Sequence, residues 1–91
     1  QKLDEAIPEF QRVMYGFGAE NAPAEIKNWQ AKSGFEAGRC GELLIMQSKT
    51  EQAKQKSLNL ARRFYQYVLD QHPTHELASK SRERIEALNV D

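Results

Sequence analysis

The sequence predicts an all-α fold of about four helices, arranged as antiparallel helical hairpins. Apolar residues recur at steps of three and four in four segments, the periodicity of helices with one buried face. No segment alternates apolar and polar residues over five or more positions, as a half-buried strand would. Two breaks, GFGAENAP and HPTH, separate neighbouring segments. With 91 residues and no initiating Met, we expect residues 1–91 to form a single domain cut from a longer protein.

Composition excludes several classes of protein. The net charge is zero, so nothing in the overall charge favours binding to nucleic acid or to an anionic membrane. The longest apolar run, LLIM at 43–46, is far shorter than the roughly 20 residues of a membrane-spanning helix. We therefore expect no nucleic-acid partner and no membrane insertion of this segment.

The first helix is predicted from about Leu3 to Phe17. Its apolar stripe comprises Leu3, Ala6, Ile7, Phe10, Val13, Met14 and Phe17. Pro8 lacks an amide hydrogen, so the helix begins shortly before it or bends there. Asn21 or Ala22, followed by Pro23, is a plausible cap and first turn for the second helix.

The second helix contains three glycines, each costing about 1 kcal/mol relative to alanine inside a helix. They lie at helical spacing with two alanines and so form one ridge of small side chains: Ala31, Gly34, Ala37, Gly38 and Gly41. Such a ridge allows a neighbouring helix to approach closely, which offsets the propensity cost. The other faces of this helix carry bulky residues, so we expect neighbouring parts of the protein to cover it on more than one side. These residues are Trp29, Phe35, Cys40, Leu43 and Leu44.

Capping signals predict the last two helices. Ser48 and Glu51 match a capping box, so the third helix is expected to start there and to run to about Gln71. Its predicted buried side comprises Leu58, Ala61, Phe64, Tyr65, Val68 and Leu69. Pro73 ends it, and Thr74 is the expected N-cap of a fourth helix. The predicted inward residues of that helix are Leu77, Ala78, Ser81, Ile85 and Leu88.

A shift of 55 residues reveals an internal repeat in which a small residue is followed by an aromatic, an aliphatic and a helix breaker. The matching positions are Ala6, Phe10, Val13 and Gly18 in one copy and Ala61, Tyr65, Val68 and Pro73 in the other. This pattern resembles the second-helix signature of the tetratricopeptide repeat (TPR), with Gly38 standing for the small residue of the first helix. The phrase HPTHELASKSRERIEAL is similar to repeats of envelope-associated bacterial proteins.

The resemblance implies a right-handed, TPR-like stack with one elongated hairpin. Gly38 and Ala61 are 23 residues apart, where the usual repeat has about 12, so the hairpin gains about three turns. The Trp, Leu and Tyr positions of a standard first helix are mainly Gly and Ala here. The resemblance also implies a bacterial protein of the periplasm or cell envelope; composition leaves the compartment open.

Catalytic and metal-binding residues are not predicted. His72 and His75 flank a helix-breaking proline, share no helical face and have no further ligand at useful spacing, so we interpret them as solvent-facing turn residues. Cys40 lies in mid-helix without a nearby base and is expected to be a small core residue. No phosphate loop, paired acids or activated nucleophile is present. We expect neither an enzyme nor a cofactor.

Three functions remain open from the residues alone. The first is a non-catalytic protein-interaction or scaffold module, whose partner lies in a groove between successive helices; the candidate residues are Lys27, Trp29, Gln30, Lys32 and Arg39. The second is a self-associating spacer, a homo-oligomer formed through incomplete end faces. The third is a small nucleic-acid-binding domain that uses the basic third helix. For Trp29 and Tyr67, core packing is favoured over an anchoring role.

Overall fold

The chain folds into four helices, as a computed structural model describes for residues 3–16 and 22–89: α1 (Leu3–Tyr15), α2 (Ala24–Gln47), α3 (Glu51–Gln71) and α4 (Glu76–Leu88). No strand occurs in these residues, so the predicted all-α class is confirmed. Pro8 lies inside α1, and Pro23 is itself the N-cap of α2. The side chain of Leu3, and all of Phe17, Gly18 and Asn21, lie outside the described part.

The long helix α2 organises the molecule. At 24 residues it extends about 36 Å, close to the 41 Å long dimension of the structure. α1 and α3 pack along it, and α4 packs on α3 and touches α2. The buried cluster at the junction of α1, α2 and α3 contains Ile7, Met14, Ala37 and Phe64. Five partly buried side chains pack against it: Phe10, Cys40, Leu44, Leu60 and Tyr67.

The predicted ridge of small residues forms the α2–α3 interface. All five of its members are buried. A Cβ added to Gly34 would lie 2.9 Å from Cγ2 of Val68, and one added to Gly41 would lie 2.9 Å from Cα of Ala61. Because positions later in α2 meet positions earlier in α3, the two helices are antiparallel. The glycines therefore allow the close approach that the sequence predicted.

The last helix is held against α3 through small residues and one long side chain. Ala78 and Ser81 are buried on its inner face. The Arg62 guanidinium of α3 donates a hydrogen bond of 3.2 Å to the carbonyl oxygen of Leu88, one of the carbonyls that the end of α4 leaves without a helical partner.

Both predicted N-caps on the later helices are wrong by one or two residues. Thr50, not Ser48, caps α3, since its hydroxyl accepts a hydrogen bond from the amide of Ala53 at 3.0 Å. The Ser48 hydroxyl instead donates to the carbonyl of Leu44. His75 caps α4 in place of Thr74: its Nδ1 accepts from the amide of Leu77 at 3.0 Å.

The expectation that both histidines face solvent is wrong for His72. Its side chain is buried, and its ring packs edge-on against Tyr67 with centroids 5.5 Å apart. The Tyr67 hydroxyl lies 3.3 Å from Nε2 of His72 and donates to the carbonyl of Met14 at 2.6 Å. Burial, reinforced by the charges of His75 and Lys27, lowers the pKa of His72. Through the two contacts of the Tyr67 hydroxyl, the HPTH turn is fixed to the end of α1.

Candidate partner-binding groove between α2 and α4

A groove opens between α2 and α4, with α3 as its floor. Because α3 is antiparallel to both neighbours, α2 and α4 run parallel, and Glu42 of one lies beside Arg84 of the other. The cavity has a volume of about 590 Å³. This is within the range of pockets that accept a peptide side chain or a small ligand.

The lining of the groove is largely apolar. α2 contributes one wall with Phe35, Arg39, Glu42, Leu43, Ile45 and Met46. α4 contributes the other with Lys80, Arg84 and Leu88, and Tyr65 of α3 lies at the bottom. Leu43 is 47% exposed and Met46 is 81% exposed. Two adjacent large apolar side chains in water mark a surface whose burial by a partner is favourable.

A three-helix network bridges the groove. The Tyr65 hydroxyl of α3 donates a 2.5 Å hydrogen bond to Oε2 of Glu42 in α2. The same carboxylate accepts two hydrogen bonds from the Arg84 guanidinium of α4, one of them 3.0 Å long. A fork-shaped donor and a carboxylate match in geometry, so this pair fixes the spacing of α2 and α4. The Tyr65 ring also packs against Phe35, with centroids 5.5 Å apart.

The network shifts the ionisation of its members. Burial by itself would raise the pKa of the Glu42 carboxyl, but hydrogen bonds from Arg84 and Tyr65 outweigh it and lower that pKa. Burial and the Glu42 carboxylate together raise the pKa of Tyr65 well above its ordinary value. Glu42 is therefore an anion and Tyr65 a neutral donor at neutral pH.

Cations dominate the polar part of the lining. Arg39, Lys80 and Arg84 face a single acid, Glu42, which is already bound by Arg84. Arg39 forms an ion pair of 3.1 Å with Glu36, one helical turn earlier and exposed on both sides. Exposed pairs of this kind contribute about 0–1 kcal/mol and exchange readily. The rim thus presents positive charge beside an apolar surface.

Only one of the sequence-predicted partner-binding residues lines this groove: Arg39. Lys27, Trp29 and Lys32 are exposed elsewhere on α2. Trp29 is 51% exposed, so the interpretation of it as a core residue is wrong, whereas Tyr67 does pack against the core. The structure therefore does not bring the predicted set together on one surface.

Gln30 is the clearest departure from the predicted set. Its side chain is 1% exposed, and its amide donates a 2.9 Å hydrogen bond to the carbonyl oxygen of Gly16. That contact fixes the end of α1 to the start of α2. Gln30 is consequently a structural residue in the α1–α2 junction, and a partner on the surface does not reach it.

Sequence reasoning missed the apolar side of the groove. The sequence pattern places Leu43 and Leu44 together as covered bulk and assigns neither Met46 nor Lys80 to a binding site. The signal was the run LLIM itself, because four consecutive residues of a helix span about 300° and cannot all face one neighbour. Leu44 packs against the core, while Leu43 and Met46 remain exposed.

Cys40 is half-buried against the core cluster. Burial and the nearby Glu36 raise the pKa of its thiol, although Arg39 opposes them, so the reactive thiolate is disfavoured. Within residues 3–16 and 22–89, no group of three His, Cys, Asp or Glu side chains is arranged to hold a metal ion. None of the helices in that part of the chain is both long and apolar enough to cross a membrane.

Comparison of the chain with protein-family models, with curated proteins and with solved structures finds no match in any of the three.

Proposed function

We propose that this chain is a non-catalytic, TPR-like protein-interaction module of a larger bacterial protein, and that its partner binds in the groove between α2 and α4. The observation that carries the proposal is the apolar wall of the groove, where Leu43 and Met46 are exposed beside a cavity of about 590 Å³. A partner that covers these side chains removes apolar surface from water, and this contributes favourable free energy to binding.

Helix packing supports the TPR-like part of the proposal. In the repeat, small residues let the two helices of a hairpin approach, and an aromatic of the second helix fills the space beside them. Gly41 meets Ala61 at backbone distance, and Gly38 lies against the ring of Tyr65. The elongation to 24 residues in α2 and 21 in α3 distinguishes this hairpin from a standard repeat.

Selection of peptides from a random library displayed on phage tests the proposal. The immobilised chain serves as bait, and bound clones are then measured against two double variants. Leu43→Ser/Met46→Ser removes the apolar wall, while Trp29→Ala/Lys32→Ala removes the exposed face of α2 outside the groove. All four side chains are exposed or half-exposed, so both variants are expected to fold, as circular dichroism will show.

Peptides that are lost from the groove variant and retained by the other variant would support the proposal. Loss from the Trp29/Lys32 variant alone would move the binding site to the outer face of α2. Failure to enrich any sequence would reject the module in favour of a spacer.

A further inference from the structure

The exposed side chains of the groove change from cationic to apolar along its length, while Phe35 at the cationic end is half-buried against Tyr65. Arg39 and Lys80 lie toward the N-terminal side of its two walls, whereas Met46 and Leu88 lie at the C-terminal side. Because α2 and α4 run parallel, the two walls change character in the same direction. Arg39 and Met46 are seven residues apart on one helix, a distance of about 10 Å along its axis. A ligand that matches both ends must itself be asymmetric.

The charge at the polar end is available to a partner. Glu42, the only acid among the lining residues in the described part of the chain, is bound by Arg84 and Tyr65. Lys80 has no ion-pair partner among residues 3–16 and 22–89, and Arg39 has only its exposed pair with Glu36. Two cations with at most a weak, exposed partner therefore remain at the mouth of a groove that has little negative charge.

We propose, resting on the function proposed above, that the occupant is a short acidic and apolar segment of another protein, bound in one direction. Its carboxylate lies between Arg39 and Lys80, and its apolar side chain covers Met46 and Leu88. In an extended segment, the separation of about 10 Å corresponds to about three residues. Ion pairing at the rim fixes the direction and accelerates association, while apolar burial supplies most of the affinity.

A second copy of the chain matches the groove less well. Its large apolar side chains exposed outside the groove, in the described part, are Tyr15 and Trp29. Arg12, one turn before Tyr15, is paired with Glu9, and Trp29 lies between the exposed Glu25 and Lys32. The charges next to each of these two side chains therefore cancel, whereas an acidic segment of another protein brings negative charge to Arg39 and Lys80.

Charge reversal tests this inference. Library selection is repeated on Arg39→Glu/Lys80→Glu, with Lys54→Glu/Lys56→Glu on the exposed side of α3 as the control with equal change in net charge. The native chain is expected to select peptides with Asp or Glu about three residues from a large apolar residue, and the control to select the same. The groove variant is expected to select Lys or Arg in place of the acid.

A synthetic, fluorescein-labelled copy of the most enriched peptide then gives the affinity by anisotropy. We expect binding to weaken about tenfold in Arg39→Glu/Lys80→Glu, and to weaken as salt rises from about 50 mM to about 500 mM. The control variant should bind within about twofold of the native chain.

The outcomes separate this inference from the proposed function. Peptides that need Leu43 and Met46 but show no acidic preference would overturn the inference and leave the interaction module standing. Failure to select any peptide would remove both. A dimer in sedimentation equilibrium that disappears in Leu43→Ser/Met46→Ser would assign the groove to a second copy and also overturn the inference.

Discussion

The ring of Tyr65 lies directly against the backbone of Gly38. A Cβ added at Gly38 would lie 2.5 Å from Cε1 of that ring, closer than real side-chain contacts allow. The absence of one methyl group in α2 therefore lets α3 place an aromatic ring under the groove, with its hydroxyl in reach of Glu42. Hairpin packing and the geometry of the candidate binding surface depend on the same contact.

Gly38→Ala is predicted to destabilise the chain. Alanine gains about 1 kcal/mol of helix propensity, but overpacking of a buried ring costs about 1–3 kcal/mol, and the contact here is at the severe end. We expect a net loss of about 1–2 kcal/mol in the free energy of unfolding, measured by urea denaturation. Asn59→Ala, exposed on α3, is the control and should be neutral or slightly stabilising. A stability gain in Gly38→Ala would show that the ring moves freely.

Gln30→Ala and Lys32→Ala are predicted to behave differently, although both residues were candidates for partner binding. Gln30 is buried with its amide bonded to Gly16, so its removal leaves that carbonyl without its partner and should cost about 1–2 kcal/mol. Lys32 is exposed, and its removal should change the free energy of unfolding by less than about 0.5 kcal/mol. Equal effects of the two substitutions on thermal unfolding would contradict the assignment of Gln30 to the α1–α2 junction.

Periodicity was sufficient to predict the helices and the small-residue ridge, because both depend on local spacing. The ridge from Ala31 to Gly41 lies on a single helix, and it packs against α3, the next helix in the chain. The caps were harder, since HPTH offers both Thr74 and His75 as side chains able to accept a hydrogen bond at a helix start. Only the turn geometry decides between them.

The groove could not be predicted from local spacing. It depends on Glu42 and Arg84, which are 42 residues apart and meet because the third helix brings α4 back beside α2. The solvent-facing side of α2 had the same difficulty: Trp29 is a large aromatic residue of a kind often found in cores, and only the placement of α1 and α3 leaves it half-exposed. The predicted set consequently mixed a groove residue, surface residues and a buried one.

Ser81→Ala is predicted to leave the chain as stable or to stabilise it. The Ser81 side chain is fully buried between α4 and α3, and its Oγ has no hydrogen-bond partner within residues 3–16 and 22–89. A buried hydroxyl of this kind costs about 1–3 kcal/mol, and alanine is also the better helix former. We expect a gain of up to about 1 kcal/mol in the free energy of unfolding. Ala78→Ser is the matched control, because Ala78 is buried one turn earlier on the same face. It should lower the free energy of unfolding by about as much as Ser81→Ala raises it.

The free energy of unfolding is predicted to fall in two steps as the solution is acidified. His72 has a folded-state pKa below its ordinary value of 6.5, because of its burial and then the charges of His75 and Lys27. The unfolded chain thus takes up this proton first, and stability is lost as the pH falls below about 6.5 toward the folded pKa. Glu42 also has a lowered pKa, because the hydrogen bonds from Arg84 and Tyr65 outweigh its burial. Its contribution is complete above about pH 4.5 and is lost below it.

Two variants separate these steps in urea denaturation between about pH 7.5 and about pH 3. His72→Gln should remove the loss that begins below about pH 6.5 and keep the lower step, since its side chain no longer titrates. Glu42→Gln should be less stable at neutral pH, because Arg84 loses its charged partner, but it should keep the upper step. Each variant is the control for the other. An upper step that persists in His72→Gln would show that the buried ring at the HPTH turn is not the group that titrates.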